Sequence, residues 1–226
     1  MLRHATGSLV LGAIFTIGCA GRPHTPLTKA ASEGDVESCR RLLTEQARPN
    51  EPGGHGLSAL HHAAGAGHGT VIELLLKGGA DVDLRDEANG WTPLMHAIHK
   101  RQNAAVLLLL EGGAGADGRS AGGVTPLIMA AGYGNTEVVR ALLDRGADPH
   151  AVAPGGITAL WSAAGGGGIA DITDGPPLGT CFPDTIKVLL ERAPDLRLSN
   201  DVWIKWVVWL AKTDECKAVA KLVANE

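Results

Sequence analysis

Residues 92–97, Thr-Pro-Leu-Met-His-Ala, open a pattern that returns along the chain and decides its fold. The leucine of this stretch, Leu94, has four counterparts, and neighbouring members are 33 or 34 residues apart. They are Leu27, Leu60, Leu127 and Leu160. A fixed period of this length predicts stacked repeats, in which each unit buries its apolar face against the next.

The residues around each leucine predict a pair of helices in every unit. Thr92 suits a helix cap because its hydroxyl can accept a free backbone N–H, and Pro93 suits the first helical position. The apolar run at residues 71–76, Val-Ile-Glu-Leu-Leu-Leu, predicts a second helix with one buried face. Gly-Ala-Asp at residues 79–81 and 146–148 predicts the stop after it. Each unit is therefore expected to contain helix, turn, helix and hairpin loop.

These residues resemble the ankyrin repeat family, whose signature is Thr-Pro-Leu-His-x-Ala with a period of about 33 residues. The resemblance implies an all-α repeat solenoid of about six helix-turn-helix units with hairpin loops, over residues 21–226. The expected units are 25–55, 56–89, 90–122, 123–155, 156–199 and a C-terminal cap at 200–226. It also implies that His61, which keeps the histidine of the signature, bonds back to the capping Ser58.

Composition and charge narrow the classes of function. The hydrophobic share of 45% is ordinary for a folded protein, and the net charge is −4 without any run of lysine or arginine. Nucleic-acid binding is therefore not expected. The sequence contains no phosphate loop, no zinc-protease motif and no nucleophile beside a base at a known spacing, so it predicts neither an enzyme nor a cofactor.

Residues 1–20 are expected to be an export signal. The apolar run at residues 9–15 is too short to span a membrane and suits a secretory signal. It ends at Thr16-Ile-Gly-Cys19-Ala20, which resembles the lipobox of bacterial lipoproteins, although Thr16 stands where an aliphatic residue is usual. Lipidation of Cys19, a simple cut after Ala20 and a short uncleaved anchor are the alternatives. The expected location is the periplasm or the outer membrane of a bacterium, with the lipid as a membrane anchor.

The fifth unit is 14 residues longer than its neighbours between its two helices, and this insertion is expected at residues 166–180. Its glycines and prolines predict a surface loop. Sequence drift and a partner-contacting flap anchored by Leu178 and Phe182 both explain it. Cys181 and Cys216 lie near the start of second helices in adjacent units. A disulfide between them is an open alternative in an oxidising compartment, provided their α-carbons come within about 7 Å.

Two columns of equivalent positions are candidates for partner binding. The first-helix column consists of Lys29, His62, His96, Met129, Ser162 and Trp209, with His99 and Tyr133 beside it. The hairpin column consists of Leu57, Trp91, Val124 and Ile157. Packing between hairpins and a binding stripe explain the apolar hairpin column equally well. Trp91 is the foremost candidate, because a large aromatic side chain on a projecting loop is typical of interface hot spots.

The resemblance implies a non-catalytic, monomeric module that binds a protein partner through its concave helix face and hairpin tips. A narrower alternative is an inhibitor or immunity protein that acts against an envelope toxin. A rival from another class is a metal-binding or enzymatic protein in which His62, His96 and His99 cluster around zinc or copper, although no fourth ligand is evident.

Overall fold

The computed structural model describes residues 24–165, 180–197 and Lys217. The first two of these ranges hold ten helices and no strand. The helices are α1 Pro26–Glu33, α2 Val36–Thr44, α3 Ala59–Ala66, α4 Gly69–Lys77, α5 Pro93–His99, α6 Asn103–Glu111, α7 Pro126–Gly132, α8 Thr136–Asp144, α9 Ala159–Ala164 and α10 Pro183–Arg192. This architecture confirms the predicted all-α solenoid. The predicted signal, the insertion up to residue 179 and the cap at 200–226, except Lys217, fall outside the described residues.

The ten helices stack in two layers. The first helices of the units contact one another in the order α1, α3, α5, α7 and α9. The second helices contact one another in the order α2, α4, α6, α8 and α10. Each consecutive pair lies within one of the first five expected units, whose boundaries stay a prediction.

Threonines start the first helices, as the sequence predicts. In four units the threonine hydroxyl accepts the N–H of the third helical residue, with N···O distances between 3.1 and 3.4 Å. These caps are Thr25, Thr92, Thr125 and Thr158. A proline occupies the first helical position after the first three of them. This pairing satisfies an otherwise free N–H and fixes where each unit begins.

The periodic leucines form the centre of one continuous core. Leu27 is 3% exposed, and its four counterparts are fully buried. Alanines such as Ala63 and Ala97 line the same core with no exposed surface, which lets neighbouring helices approach closely. Burial of a leucine side chain stabilises the folded chain by about 2 kcal/mol, so the repeated position is a principal source of stability.

Glycines end the second helices in the way that the Gly-Ala-Asp segments predict. Gly79 and Gly146 adopt φ angles of +84° and +83°, in the left-handed region that favours glycine. The next N–H groups, those of Ala80 and Ala147, donate to Leu75 and Leu142 at 2.9 and 3.0 Å. These bonds satisfy carbonyls at the helix end and turn the chain into the hairpin.

One hairpin tip is a residue longer than the others, and it explains the single 34-residue spacing. Three hairpins close with a backbone bond between residues four positions apart: Gly53 to Leu57, Ser120 to Val124, and Ala153 to Ile157. The hairpin after α4 closes from the Asp86 N–H to the Trp91 carbonyl at 2.8 Å, and these residues are five positions apart. The extra residue between Leu60 and Leu94 therefore lies in this tip.

Candidate partner-binding surface

The first-helix column is accessible in the first three units and buried in the next two. The side chain of Lys29 is 68% exposed, and His62 and His96 are half-buried. Met129 and Ser162 have no exposed surface. The side chains of His96 and Lys100 lie next to each other beside Gly65: a Cβ added to Gly65 would contact both of them. We call Lys29, His62, His96 and Lys100 the open row.

A buried histidine joins the second and third units beneath the open row. The backbone N–H of Ser58 donates to Nδ1 of His61 at 3.2 Å, and the Ser58 hydroxyl lies 2.8 Å from the same nitrogen. The other nitrogen, Nε2, lies 3.1 Å from the Trp91 carbonyl. Since Nδ1 accepts, the neutral ring carries its proton on Nε2 and donates to that carbonyl. The predicted bond between His61 and Ser58 is confirmed.

The surroundings of His61 disfavour its charged form. Its side chain is 1% exposed, and burial, followed by the proximity of His96, lowers its pKa to about 4. Protonation would also place a hydrogen on Nδ1 and remove the acceptor for the Ser58 N–H. The ring therefore links the two units best when it is neutral.

The carboxylate of Asp86 organises the longer hairpin tip. It accepts the backbone N–H groups of Ala88, Asn89 and Gly90 at 3.0, 2.7 and 2.9 Å. Its second oxygen lies 2.7 Å from Nε2 of His96. Burial on its own would raise the pKa of Asp86, but the hydrogen bonds from His96 and Asn89 outweigh it and lower the pKa to about 2. The carboxylate is therefore ionised at neutral pH.

Aromatic rings surround His96, the hydrogen-bond partner of Asp86. The ring of His96 meets the rings of His61 and Trp91 edge-on, with centroids 5.2 and 5.4 Å apart. Trp91 also contacts His99, at 5.1 Å. His96 is thus held from below by Asp86 and from the sides by rings, which fixes the position of its exposed edge in the open row.

His62 lies apart from this network and next to the start of the chain's described part. Its ring contacts that of His24, with centroids 5.1 Å apart. Burial, followed by His24, lowers the pKa of His62 to about 4. Its Nε2 is buried and makes no hydrogen bond. An unpaired buried nitrogen is costly, so His62 contributes less to stability than the hydrogen-bonded His61 and His96.

The histidines do not assemble into the alternative zinc or copper site. His96 is held by Asp86, and Nδ1 of His99 lies 2.5 Å from the Tyr133 hydroxyl of the next unit. No group of three or more potential ligands comes together within residues 24–165 and 180–197. The clustering on which that rival hypothesis depends is not found among these residues, because each imidazole has a different neighbour.

Three other candidate contacts are core residues. Trp91 is 4% exposed, Tyr133 is 3% exposed and Met129 is fully buried. This corrects the expectation that Trp91 projects from a hairpin finger, and it favours packing between hairpins as the explanation of the apolar column. Val124, at the equivalent position one unit on, is likewise 3% exposed. A role of these residues in binding stays a prediction.

The remaining sites lie at or beyond the insertion. The half-buried ring of Phe182 covers Gly134, and its N–H donates to the Ala163 carbonyl at 2.8 Å, so it ties the fourth and fifth units together. Cys181 is disulfide-bonded, and its pairing with Cys216 stays a prediction. Cys216, Trp209 and Cys19 all fall outside the described residues.

Asp86 is not among the site residues predicted from the sequence, although two features of the sequence indicate it. The spacing from Leu60 to Leu94 exceeds the others by one residue, and Asp86 is the carboxylate at the start of the longer tip. Aspartate often accepts backbone N–H groups two or more residues further on, which makes it the natural organiser of such a turn.

A family comparison decides where this fold belongs. A model of ankyrin repeats in three copies matches residues 9–86 and 78–153, which is more than half of the chain. The chain belongs to the ankyrin repeat family. The first match of this ankyrin repeat protein begins inside residues 1–20, so the boundary between signal and repeats stays a prediction.

Individual relatives share only part of the ankyrin repeat chain. It is 47% identical to transient receptor potential cation channel subfamily A member 1 of Homo sapiens over 76 residues, 32% of this chain and 7% of that protein. It is 32% identical to RelA-associated inhibitor of Mus musculus over 72 residues, 32% of this chain and 9% of that protein. It is 43% identical to protein phosphatase 1 regulatory subunit 27 of Homo sapiens over 63 residues, 27% of this chain and 40% of that protein.

The chain thus spans well under two thirds of the length of each of these relatives. Ankyrin repeats, together with relatives named as an inhibitor and a regulatory subunit, support a protein–protein interaction module. None of the described helices is a candidate membrane span, since the longest, α10, has ten residues.

Proposed function

We propose that this ankyrin repeat protein is a non-catalytic binding module whose open row and neighbouring hairpin tips dock a protein partner. One observation carries the proposal: the first-helix column is solvent-accessible at Lys29, His62 and His96 but buried at Met129 and Ser162. The stack beneath these side chains is continuous and well packed, so it presents them in a fixed order.

The chemistry of the open row favours an acidic or hydrogen-bond-accepting partner surface. Lys29 and Lys100 supply ammonium groups, and the only carboxylate that pairs with either within the described residues is Glu33, 4.0 Å from Lys29 and itself exposed. Such an exposed pair contributes little to stability, so Lys29 can exchange Glu33 for a partner carboxylate at small cost. The imidazoles between the two lysines add further polar contacts and a rigid aromatic surface.

A capture experiment with matched variants tests this surface. The double variant Lys29→Glu, Lys100→Glu reverses two charges of the open row, whereas Lys77→Glu, Lys187→Glu makes the same change on the second helices. We expect a native-envelope protein to be retained by the parent and by the second-helix variant, and to be lost from the open-row variant. Equal retention by both variants would place the binding surface elsewhere.

We also propose that the protein is exported and tethered to a bacterial envelope membrane through lipidated Cys19, and that it is a monomer. The apolar run before Cys19 supports export. The disulfide at Cys181 supports an oxidising compartment, where we propose Cys216 as its partner.

The mass of the mature protein tests this localisation. Lipidation predicts a chain that begins at Cys19 with added acyl mass and sediments with membranes, and Cys19→Ser should release it into the soluble fraction. An unacylated chain that begins at Gly21 would instead establish simple secretion. Light scattering of the detergent-free Cys19→Ser protein should give the mass of one chain.

A further inference from the structure

A charged recess at the bases of the hairpins stands apart from the open row. It has a volume of about 450 Å³ and lies between the hairpins that follow α4 and α6 and the end of α8. Five charged side chains line it: Asp83, Arg85, Asp117, Arg119 and Arg145. It shares no residue with the open row, so a ligand bound here would be distinct from the partner of the proposed function.

Backbone carbonyls, not carboxylates, hold the three guanidinium groups in place. Arg85 donates to the carbonyls of Gly90, at 3.1 Å, and of Arg119. Arg119 repeats this arrangement one unit on, with bonds to the carbonyls of Gly123 and Val152 at 3.2 and 3.0 Å. Because these acceptors are neutral backbone carbonyls, they restrict the arginine side chains without neutralising the guanidinium charges.

The third guanidinium is anchored in the same way, by a bond from Arg145 to the Leu110 carbonyl. Each of the three arginines keeps N–H groups beyond those that bond to carbonyls, because a guanidinium carries five. In the described part of the chain none of the three forms an ion pair within 4 Å.

The two carboxylates of the recess are also held by the backbone. Oδ1 of Asp83 accepts the N–H of Gly115, and Oδ1 of Asp117 accepts the N–H of Asp148, both at 2.9 Å. Each aspartate therefore retains a second oxygen for another donor. The recess thus presents three fixed positive charges and two fixed negative charges that do not neutralise one another by direct contact.

This arrangement selects among anionic ligands. A guanidinium fork matches the two oxygens of a carboxylate, and three such groups give the recess a formal charge of +1. A phosphate dianion would meet the same forks but also the repulsion of Asp83 and Asp117. A peptide segment with one carboxylate carries less negative charge than a phosphate dianion, and its N–H groups can offset the remaining repulsion by donating to the second aspartate oxygens while its acidic side chain meets the arginines.

We propose that this recess binds a peptide segment that carries a glutamate or aspartate side chain. The segment meets Arg119 and Arg145 with its carboxylate and meets Asp83 or Asp117 with its backbone N–H groups. Because the five lining side chains are exposed, binding is weak for a short peptide and weakens further as salt screens the charges.

Nuclear magnetic resonance titration of the ¹⁵N-labelled full chain tests the proposal. The probes are acetyl-Ala-Glu-Ala-amide, its glutamine analogue and inorganic phosphate. We expect only the glutamate peptide to shift the amide signals of Gly115 and Gly118 saturably. Arg145→Gln should weaken this binding about tenfold, the loss of one charge-assisted bond. Arg140→Gln, a change at an exposed arginine of α8 outside the recess, should leave it unchanged.

Arg119→Gln provides a second variant if the loss of the bond to Leu110 unfolds the Arg145 variant. Equal binding of the glutamine peptide, tighter binding of phosphate, or no saturable response would overturn the proposal. An equal response of the Arg145→Gln and Arg140→Gln proteins would overturn it as well. None of these outcomes would affect the open-row capture experiment, which changes no residue of the recess.

Discussion

The junction between the second and third units differs in kind from the two junctions that follow it. Three equivalent positions carry His61, Asp86 and His96 at the first of them. The same positions carry Met95, Ser120 and Met129 at the next, and Ile128, Ala153 and Ser162 at the one after. At these three positions the first junction therefore carries ionisable groups with specific hydrogen bonds, whereas the later two carry mainly apolar side chains.

One fold therefore accommodates two kinds of junction between its units. Packed side chains stabilise a junction at any pH, whereas a neutral buried imidazole and a buried carboxylate stabilise it only in one protonation state each. The polar junction also lies directly below the accessible part of the first-helix column, so its integrity fixes the geometry of the open row. Substitutions in one junction at a time can separate these two modes of stabilisation.

Loss of the Asp86 carboxylate should have the largest effect. Asp86→Ala leaves three backbone N–H groups and His96 without their acceptor, which should lower the free energy of unfolding by about 3 kcal/mol. Urea unfolding at neutral pH measures this loss of stability. Asp117→Ala is the control, because that exposed carboxylate accepts one N–H in the next hairpin and its loss should cost about 1 kcal/mol. Equal costs would mean that the longer tip does not depend on its aspartate.

Acid should weaken the polar junction through His61. Its pKa is lowered from 6.5 to about 4 on folding, so the unfolded chain binds the proton first as the pH falls. The stability contributed by the neutral ring is complete above pH 6.5 and is lost as the pH falls toward 4, by at most about 3 kcal/mol. Asp86 acts at lower pH: its contribution is present above pH 3.8 and is lost as the pH falls through about 2.

His61→Met, which installs the residue of the next junction, should flatten the dependence of the urea midpoint on pH between 6.5 and 4. Some dependence should persist, because the pKa of half-buried His62 is also lowered. Ile128→Val, at the equivalent apolar position two units on, is the matched control and should leave the dependence unchanged. An unaltered slope in the His61→Met protein would show that His61 is not the titrating group.

The sequence predicted the repeat itself because that part of the fold is local. Thr92 and Pro93 start α5, and Gly79 turns the chain after α4, through contacts that span only a few residues. Hydrogen bonds from capping threonines and the left-handed preference of glycine act within one helical turn, so the residue types alone indicate them.

The candidate site was less predictable because its contacts cross units. An apolar residue such as Trp91 fits both a core position and an exposed stripe, and only the rings of His96 and His99 decide between them. The partner of His99 is a hydroxyl 34 residues away, on Tyr133. No periodic pattern predicts such a contact, since the equivalent positions in other units carry different side chains.

A change in the apolar junction should cost less and should not depend on pH. Ile128 is fully buried and occupies the position of His61 two units further on. Ile128→Val should lower the free energy of unfolding by about 1 kcal/mol, at neutral and acidic pH alike, because no ionisable group is involved. Urea unfolding at both pH values checks this, and a cost that grows in acid would contradict the division between the junctions.

The smallest effect is expected at Ser162, the counterpart of His96 two units on. Its hydroxyl is buried and makes no hydrogen bond. Ser162→Ala removes an unsatisfied polar group and should leave stability unchanged or raise it by up to about 1 kcal/mol. A clear loss in thermal unfolding would reveal a bonding role for that hydroxyl.

On this account, the junction below the open row depends on a neutral histidine. Residue-resolved hydrogen exchange of the parent protein, at neutral pH and at pH 5, tests this dependence directly. With intrinsic rates corrected, the amides of Ser58, Ala88, Asn89 and Gly90 should lose protection worth up to about 2 kcal/mol at the lower pH, while those of Val124 and Ala153 keep theirs. Uniform loss along the stack, or earlier loss at the apolar junctions, would contradict the account.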